Sequence, residues 1–314
     1  MNKLNKILKD GYCIIENALN NKELYLIRKR LDEQAECEKK LKIAYNEGGT
    51  SNSWGNFKNK SGEIDEKKFI NNNNCQNQRI FMLVNKGSIF IKMLKNKKIR
   101  SVIDNLLGED YLLSSHGANI ARFNNNKMKL HTDQWWMPNP MLETDKHMPV
   151  GSMNRDNVYY FEKKTSSISP PVAYNVVWMI DDFTKKNGAT RIVPKSHLRG
   201  TQPDSDSEAI AVTGKCGSAL IIDGRLWHGT GTNKTNQQRR AILTTFCGPQ
   251  FRPQENYTIG LDEKIYDTID DDIKSLLGYK VWNAYGRIGN PTVDIIDKNK
   301  EYLGELYLNN LDNI

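Results

Sequence analysis

The sequence predicts a mainly β protein with flanking helices, built on a sandwich or barrel of antiparallel strands. Three observations carry that expectation. Between about residues 111 and 247 the chain is a succession of short β-rich runs: YLLSSHGANIARF, KLHTDQWW, VAYNVVWMI, ATRIVP, SALIIDG and RRAILTTFC, dense in β-branched and aromatic residues. Most of these runs are bounded by Gly, Pro, Asn or Asp, the punctuation of strands joined by turns. Sustained helical periodicity falls outside that stretch, chiefly before it.

Taken in order, residues 2–41 read as helix, strand, helix. The helical spacing is interrupted by DGYCIIENAL, where Tyr12, Ile14 and Ile15 predict a short strand before Asn20 or Asn21 caps the next helix. Residues 48–77, rich in Gly, Asn, Ser and Lys, predict a long loop. A helix over about 87–107 follows and ends at Gly108. The strand-rich stretch comes next, broken at about 137–171 by an irregular insert whose length and composition suit a lid. After Pro249 the chain returns to polar, helix-like sequence, with DDDIKSLLGY the clearest helix. No repeat or linker divides the chain, so its 314 residues read as a single domain. That domain has a helical part to about 110, a strand-rich core over about 111–250 and an extension over about 251–314.

Composition excludes several classes. No run approaches the roughly 18 apolar residues of a membrane span, and MNKLNKILKDGY lacks an apolar signal core, so a cytoplasmic location without a membrane partner is expected. Cys13, Cys37, Cys75, Cys216 and Cys247 are widely and irregularly spaced with no CxxC pair, which suggests neither a disulfide framework nor a zinc site. The net charge of +8 comes from scattered lysines. The densest group, KMLKNKKIR, has helical spacing with Met93, Leu94 and Ile99 between the charges, which reads as a solvated helix face. A nucleic-acid partner needs a clustered basic groove with exposed aromatics, and none is expected here. The Asn run at 71–74 is compositional bias.

The chemistry begins in KLHTDQWW. On a strand, alternate side chains share a face, so His131 and Asp133 converge. An HxD spacing alone is common by chance. It gains weight from His228 in DGRLWHGTG, which follows the candidate strand SALIID and a turn, where a sandwich can bring it opposite. Two imidazoles and one carboxylate on one face of Fe(II) leave three positions open for substrates. Arg239 then follows the turn-like TGTNKTNQQ in a strand-like run. A guanidinium grips a carboxylate through paired N–H bonds, as a dicarboxylic co-substrate chelating the metal at its other end requires. By alternation Arg239 faces inward and Arg240 outward.

Other residues are candidates of lower specificity. Gln134, Trp135 and Trp136 directly follow the metal-binding run and are expected to include a substrate contact, although core packing suits a Trp equally well. Arg191 is a candidate partner for an anionic substrate group, with a surface ion pair as the alternative, and Arg79 is a weaker case of the same kind. His197 in PKSH suits a turn-stabilising hydrogen bond, and His116 and His147 stand outside the metal set. Asn187 and Gly188 are expected to shape a turn through φ > 0.

Read together, DGYCIIENAL, LLGEDYLLSS, HTDQ, NGATRIVPKSH and WHGTGTNKTNQQRR resemble the phytanoyl-CoA dioxygenase branch of the Fe(II) and 2-oxoglutarate dependent oxygenases, over roughly residues 8–248. The resemblance implies a double-stranded β-helix (jelly roll, cupin-like) with helices packed on one sheet. It implies iron held by His131, Asp133 and His228, 2-oxoglutarate held by Arg239, and O2 as the other co-substrate. Thr230 and Trp178 resemble positions lining the co-substrate pocket, with Asn119 a weaker candidate. Asp133 stands where halogenating relatives have a small residue, which favours oxygenation. The insert departs from the acyl-CoA members, so the resemblance carries the chemistry and not the substrate. The expectation is a dioxygenase that hydroxylates an unactivated C–H bond of a small anionic metabolite while 2-oxoglutarate is decarboxylated to succinate. Desaturation or oxidative cyclisation in a biosynthetic pathway would use the same metal set. A non-catalytic metabolite-binding protein on the same scaffold is the reading from another class, and loss of Arg239 or of a ligand would have favoured it.

Overall fold

Among the described residues of the computed structural model, ten strands, β1 (Tyr12–Ile15), β2 (Tyr45–Glu47), β3 (Asn77–Ile80), β4 (Leu112–Ala121), β5 (Ala173–Met179), β6 (Thr190–Ile192), β7 (Ile210–Ala211), β8 (Ala219–Asp223), β9 (His228–Thr230) and β10 (Arg239–Cys247), form two sheets. The larger has the order β1-β8-β5-β10-β4-β3-β2 and the smaller the order β7-β6-β9. Every pairing between these strands is antiparallel. The two sheets make the jelly-roll core that the sequence pointed to. The structure describes residues 2–47, 77–125, 127–137, 151, 168–199, 202–203, 206–290 and 292–297. All but the last residue of the long loop expected over 48–77, nearly all of the lid-like insert, Cys75 and His147 lie outside the described residues, and Asn77 itself opens β3.

The helices begin and end where their capping chemistry dictates. In α1 (Lys3–Asp10) the Asn2 side chain accepts from Leu4 N, and Gly11, at φ 84, closes the C-terminus with its N–H on Ile7 O. A side chain at Gly11 would also collide with Leu226 and His197. Asn20, rather than Asn21, caps α2 (Asn21–Lys40), and Glu23 completes a capping box. The helix expected over 87–107 is two, α3 (Ser88–Leu94) and α4 (Lys97–Leu107), because Asn96 accepts from Ile99 N and starts the second. Short helices α5 (Tyr257–Gly260), α6 (Glu263–Tyr266) and α7 (Asp271–Leu276) fill the C-terminal extension.

One face of the large sheet carries this helical layer. Tyr174, Val176 and Trp178 of β5, with Ile221, Ile242 and Phe246, pack in one apolar cluster with Ile27, Leu31, Phe90 and Ile103. Full burial of such a side chain contributes roughly 1.5–3 kcal/mol, against about 0–1 kcal/mol for an exposed ion pair such as Arg30–Glu33. Apolar burial therefore holds the layer on. The opposite face meets the small sheet through a second cluster that includes Val177, Met179, Leu220, Ile222 and Ala241 with Ile192 and Phe183.

Two departures bear on the site. β2 and β3, mostly polar and without apolar alternation, extend the large sheet inside the part read as helical, and β3 is buried along its length. KLHTDQWW is not a strand: His131 alone makes a single antiparallel bridge, to His228. No helix among the described residues is long and apolar enough to cross a membrane.

Candidate metal centre

His228 opens β9, which pairs with β6 through Ile192. His131 is its neighbour on the other side, in a single antiparallel bridge. The N–H of each histidine donates to the carbonyl of the other, both at 2.9 Å. The N–H groups of Asp133 and Gln134 then both donate to Gly224 O, at 2.8 and 2.9 Å. Backbone bonds thus bring two segments distant in sequence into one corner, and the spacing of the three side chains follows from them.

Among the described residues, His131, Asp133 and His228 are the only group of three potential metal ligands, with one donor atom from each lying within 4.8 Å of the others. His131 Nε2 is 3.7 Å from Asp133 Oδ1, and His228 Nε2 is 3.3 Å from Asp133 Oδ2. Each imidazole turns Nδ1 to a backbone carbonyl two residues upstream: His131 to Lys129 O and His228 to Leu226 O, both 2.9 Å. A carbonyl only accepts, so Nδ1 carries the proton and Nε2 presents its lone pair. This is the usual support of a metal-ligating histidine. Asp133 is fixed in turn by Asn175 Nδ2, which donates to Oδ2 at 2.7 Å.

A cavity of about 530 Å³ opens beside these three residues, with Phe81, Met128, Trp135, Val177, Leu243 and Glu255 in its wall. Arg239, on the inward row of β10, is 1% exposed. Its Nη2 donates to Gly188 O at 3.0 Å, its guanidinium lies over the Phe183 ring at 4.5 Å, and its buried Nε has no partner. Gly188 can offer that carbonyl because it sits at φ 80, where a Cβ would meet Gly231 O at 2.7 Å. Burial, and then the charge of Arg79, push the Arg239 guanidinium down to about 10, still protonated at neutral pH. Arg79, on β3, is itself buried and lines the cavity. Asn119 Nδ2 donates to Thr230 Oγ1 at 3.1 Å, and Asn119 Oδ1 is buried with no partner.

Several expectations need correction. Trp178 does not face the co-substrate side: it lies on the helix-covered face of β5, with Nε1 on Thr244 Oγ1 at 2.9 Å. The residues of β5 that line the cavity are Asn175 and Val177. Gln134 is a brace rather than a substrate contact: Nε2 donates to Pro170 O, and Oε1 accepts from Val172 N and Ala173 N. Trp135 does line the cavity, whereas Trp136 packs against Phe251 with ring centroids 5.0 Å apart. Arg191 alternates away from the interior, donating to Met128 O at 2.6 Å and pairing with Asp206 at 3.3 Å. Asn187 has no positive φ; it shapes its turn with side-chain bonds to Thr184 N and Asp182 O.

The two other described histidines are structural. His197 Nε2 meets Leu8 O at 3.2 Å, and His116 is fully buried between Thr244 Oγ1 and Phe90 O. Arg240 points outward, clasped by Asp32 of α2 and by Asp181. Sequence reasoning missed Asn175 and Glu255 and underrated Arg79. Parity along β5 could have found Asn175, since it shares a face with Val177 and not with Trp178. Glu255 lies outside every recognisable motif.

Residues 7–241 match the sequence model of the family described as phytanoyl-CoA dioxygenase (PhyH). "Dioxygenase af480" of Aspergillus fumigatus is 31% identical over 210 residues, covering 65% of this chain and 59% of its own length. "Dioxygenase andF" of Emericella variicolor is 25% identical over 159 residues, 50% of this chain and 55% of its own. The chain thus spans little more than half the length of these fungal relatives. Among solved structures, the epimerase SnoN from nogalamycin biosynthesis, in complex with Fe3+, alpha ketoglutarate and nogalamycin RO, superposes with a TM-score of 0.53 at 13% identity, covering 83% of this chain and 90% of that one. HygX from Streptomyces hygroscopicus, with nickel, 2-oxoglutarate and hygromycin B bound, gives 0.53 at 12% identity, covering 80% and 88%. At such identities the likeness is one of fold, and it is the family match across most of the chain, agreeing with that fold, by which the chain belongs to the phytanoyl-CoA dioxygenase (PhyH) family.

Proposed function

We propose that this chain is an Fe(II) and 2-oxoglutarate dependent dioxygenase that hydroxylates a C–H bond of a small molecule held in the cavity beside His131, Asp133 and His228. One observation carries the reading. Two imidazoles whose Nδ1 atoms are committed to carbonyls turn Nε2 toward one carboxylate, at the wall of a cavity. The donor set, two nitrogens and one oxygen with room beside them, suits Fe(II) with open positions. The buried Arg239 with its unpartnered Nε suits the far carboxylate of 2-oxoglutarate.

Fe(II) and 2-oxoglutarate, when bound, supply activation of O2 coupled to decarboxylation of the co-substrate to succinate. The protein's own work is to hold and to orient. His131, Asp133 and His228 hold the metal, and Asn175 keeps the Asp133 carboxylate in one rotamer. Arg239 grips the co-substrate, with Thr230 and Asn119 beside it. Trp135, Val177 and Leu243 keep the reacting face apolar and aim the substrate. Arg191 no longer supports an anionic substrate, because it is turned away and paired with Asp206.

Anaerobic titration with Fe(II) and 2-oxoglutarate tests the reading. The wild type is expected to develop the visible charge-transfer band of the chelate, and His131→Ala and Arg239→Ala to lose or weaken it. A folded, iron-loaded wild type without the band would leave a non-catalytic binding scaffold as the better account.

A further inference from the structure

A carboxylate that the proposed chemistry does not use stands in the wall of the same cavity. Glu255 lies in the C-terminal extension, and its backbone N–H donates to Ser114 O at 2.9 Å. Its side chain is half-buried in the cavity wall, and the burial it has raises its carboxyl above the ordinary 4.5. Oε1 accepts from Met82 N at 2.8 Å; Oε2 accepts from His116 N at 3.0 Å and from Tyr257 OH at 2.6 Å. A carboxylate offers about four acceptor sites, so Oε1 retains one that these bonds leave open. All three donors are neutral. Lys86, whose charge reaches Glu255, has its own Nζ on Glu38 Oε1 at 2.8 Å.

The surroundings suit one kind of ligand. Phe81 and Trp135 share the cavity wall with Glu255. The Met82 N–H that Glu255 holds belongs to a residue at φ 52, so the same bond fixes the turn that carries Phe81. Arg239 opens β10, whereas Glu255 is tied beside Ser114, whose strand β4 pairs there with the far end of β10. Glu255 therefore lies toward the opposite end of β10 from Arg239, and Arg79, the cation in the same cavity wall, pairs with Asn119 of β4 on the Arg239 side. A carboxylate half-withdrawn from water attracts a cation more than an exposed one does, and aromatic faces add to the attraction.

We propose that Glu255, with Phe81 and Trp135, forms a subsite for an organic ammonium group, and that the molecule oxidised in this cavity carries a protonated amine. The second half rests on the dioxygenase reading; the first stands without it. A carboxylate serving only as a pin for Met82, His116 and Tyr257 would hold the fold equally well but would not select ligands by charge.

The test uses the full chain loaded with Ni(II) and 2-oxoglutarate, and three probes of one shape: 2-phenylethylammonium, 2-phenylethanol and 3-phenylpropionate. Calorimetry on the wild type is expected to show the ammonium bound about tenfold more tightly than the alcohol, a difference of about 1.4 kcal/mol, with the carboxylate weakest. In Glu255→Gln the ammonium preference should vanish while Ni(II) and 2-oxoglutarate binding persist. Tyr257→Phe removes a donor but keeps the charge, and should keep the preference. Should Glu255→Gln not fold, Trp135→Leu decides in its place, by lowering ammonium affinity more than alcohol affinity. Equal binding of the three probes by the wild type, or a preference that survives in Glu255→Gln, would overturn the subsite. Failure to bind Ni(II) with 2-oxoglutarate counts instead against the dioxygenase reading.

Discussion

Asn175 shows how much of the centre is set by a residue that is not a ligand. Its amide donates to the Asp133 oxygen that also lies nearest His228 Nε2, and its own Oδ1 is buried with no partner. Without the bond, the Asp133 carboxylate loses the donor that aims Oδ2 toward His228 Nε2. Asn175→Val should lower metal affinity about 10- to 100-fold, read from the visible absorbance of Co(II) titrated into the metal-free protein, and the fold should survive because Val177 already fills the same face. At this scale the sequence was legible where a motif or alternation sufficed. His131, Asp133 and His228 converge as the motif predicts, though through a single backbone bridge and not through strand alternation, while alternation holds for Arg239 inward and Arg240 outward. It was not legible for Gln134 and Arg191. Their partners, the 170–173 backbone for one and Met128 with Asp206 for the other, come from segments whose approach no local pattern announces.

Among elements, β5 separates the two sides of the molecule. Its Tyr174, Val176 and Trp178 face the helices, and Asn175 and Val177 face the cavity. Trp178 therefore belongs to stability. Trp178→Phe should cost about 1–2 kcal/mol in urea unfolding, through a lost hydrogen bond and a small void beside Thr244, and should leave the 2-oxoglutarate dissociation constant unchanged. A large loss of co-substrate affinity would show that the side chain acts on the pocket after all. Helices with strong caps, such as α2, were readable to within a residue. The break between α3 and α4 was not, since no Gly or Pro marks it and only the Asn96 side chain ends the run. β2 and β3 escaped notice because Asn46, Asn77, Gln78 and Arg79 are buried polar residues, and burial of that kind depends on partners rather than on periodicity.

For the whole molecule, His116 links the helical layer to acid stability. It lies fully buried between α3 and β10, with Phe90 O and Thr244 Oγ1 as partners, and burial pushes its imidazole from 6.5 down to about 4. The unfolded chain thus takes up a proton below pH 6.5 that the native state refuses until about pH 4. Stability from this group is complete above 6.5, falls as pH drops through that window, and is lost near 4. The loss approaches about 3 kcal/mol. His197, lowered by burial as well, acts in the same direction. Urea unfolding across pH 4–7 should show this slope in the wild type, and a flatter one in His116→Gln. Equal slopes would mean that carboxylates alone govern acid unfolding. The fold class was legible at this scale because strand runs and turn residues dominate the middle of the chain. The attachment of the C-terminal extension was not, because Glu255 reaches Met82 and His116 without any sequence signature.

The reciprocal bridge between His131 and His228 has a kinetic side. Two peptide groups hold the imidazoles opposite each other, and their Nδ1 protons are held by the backbone of the same two segments. An ion leaving such a corner takes no backbone hydrogen bond with it. Extraction by a chelator and reloading are then expected to be a local exchange at a standing socket, with little of the chain reordered in either direction, the centre a replaceable part rather than a keystone.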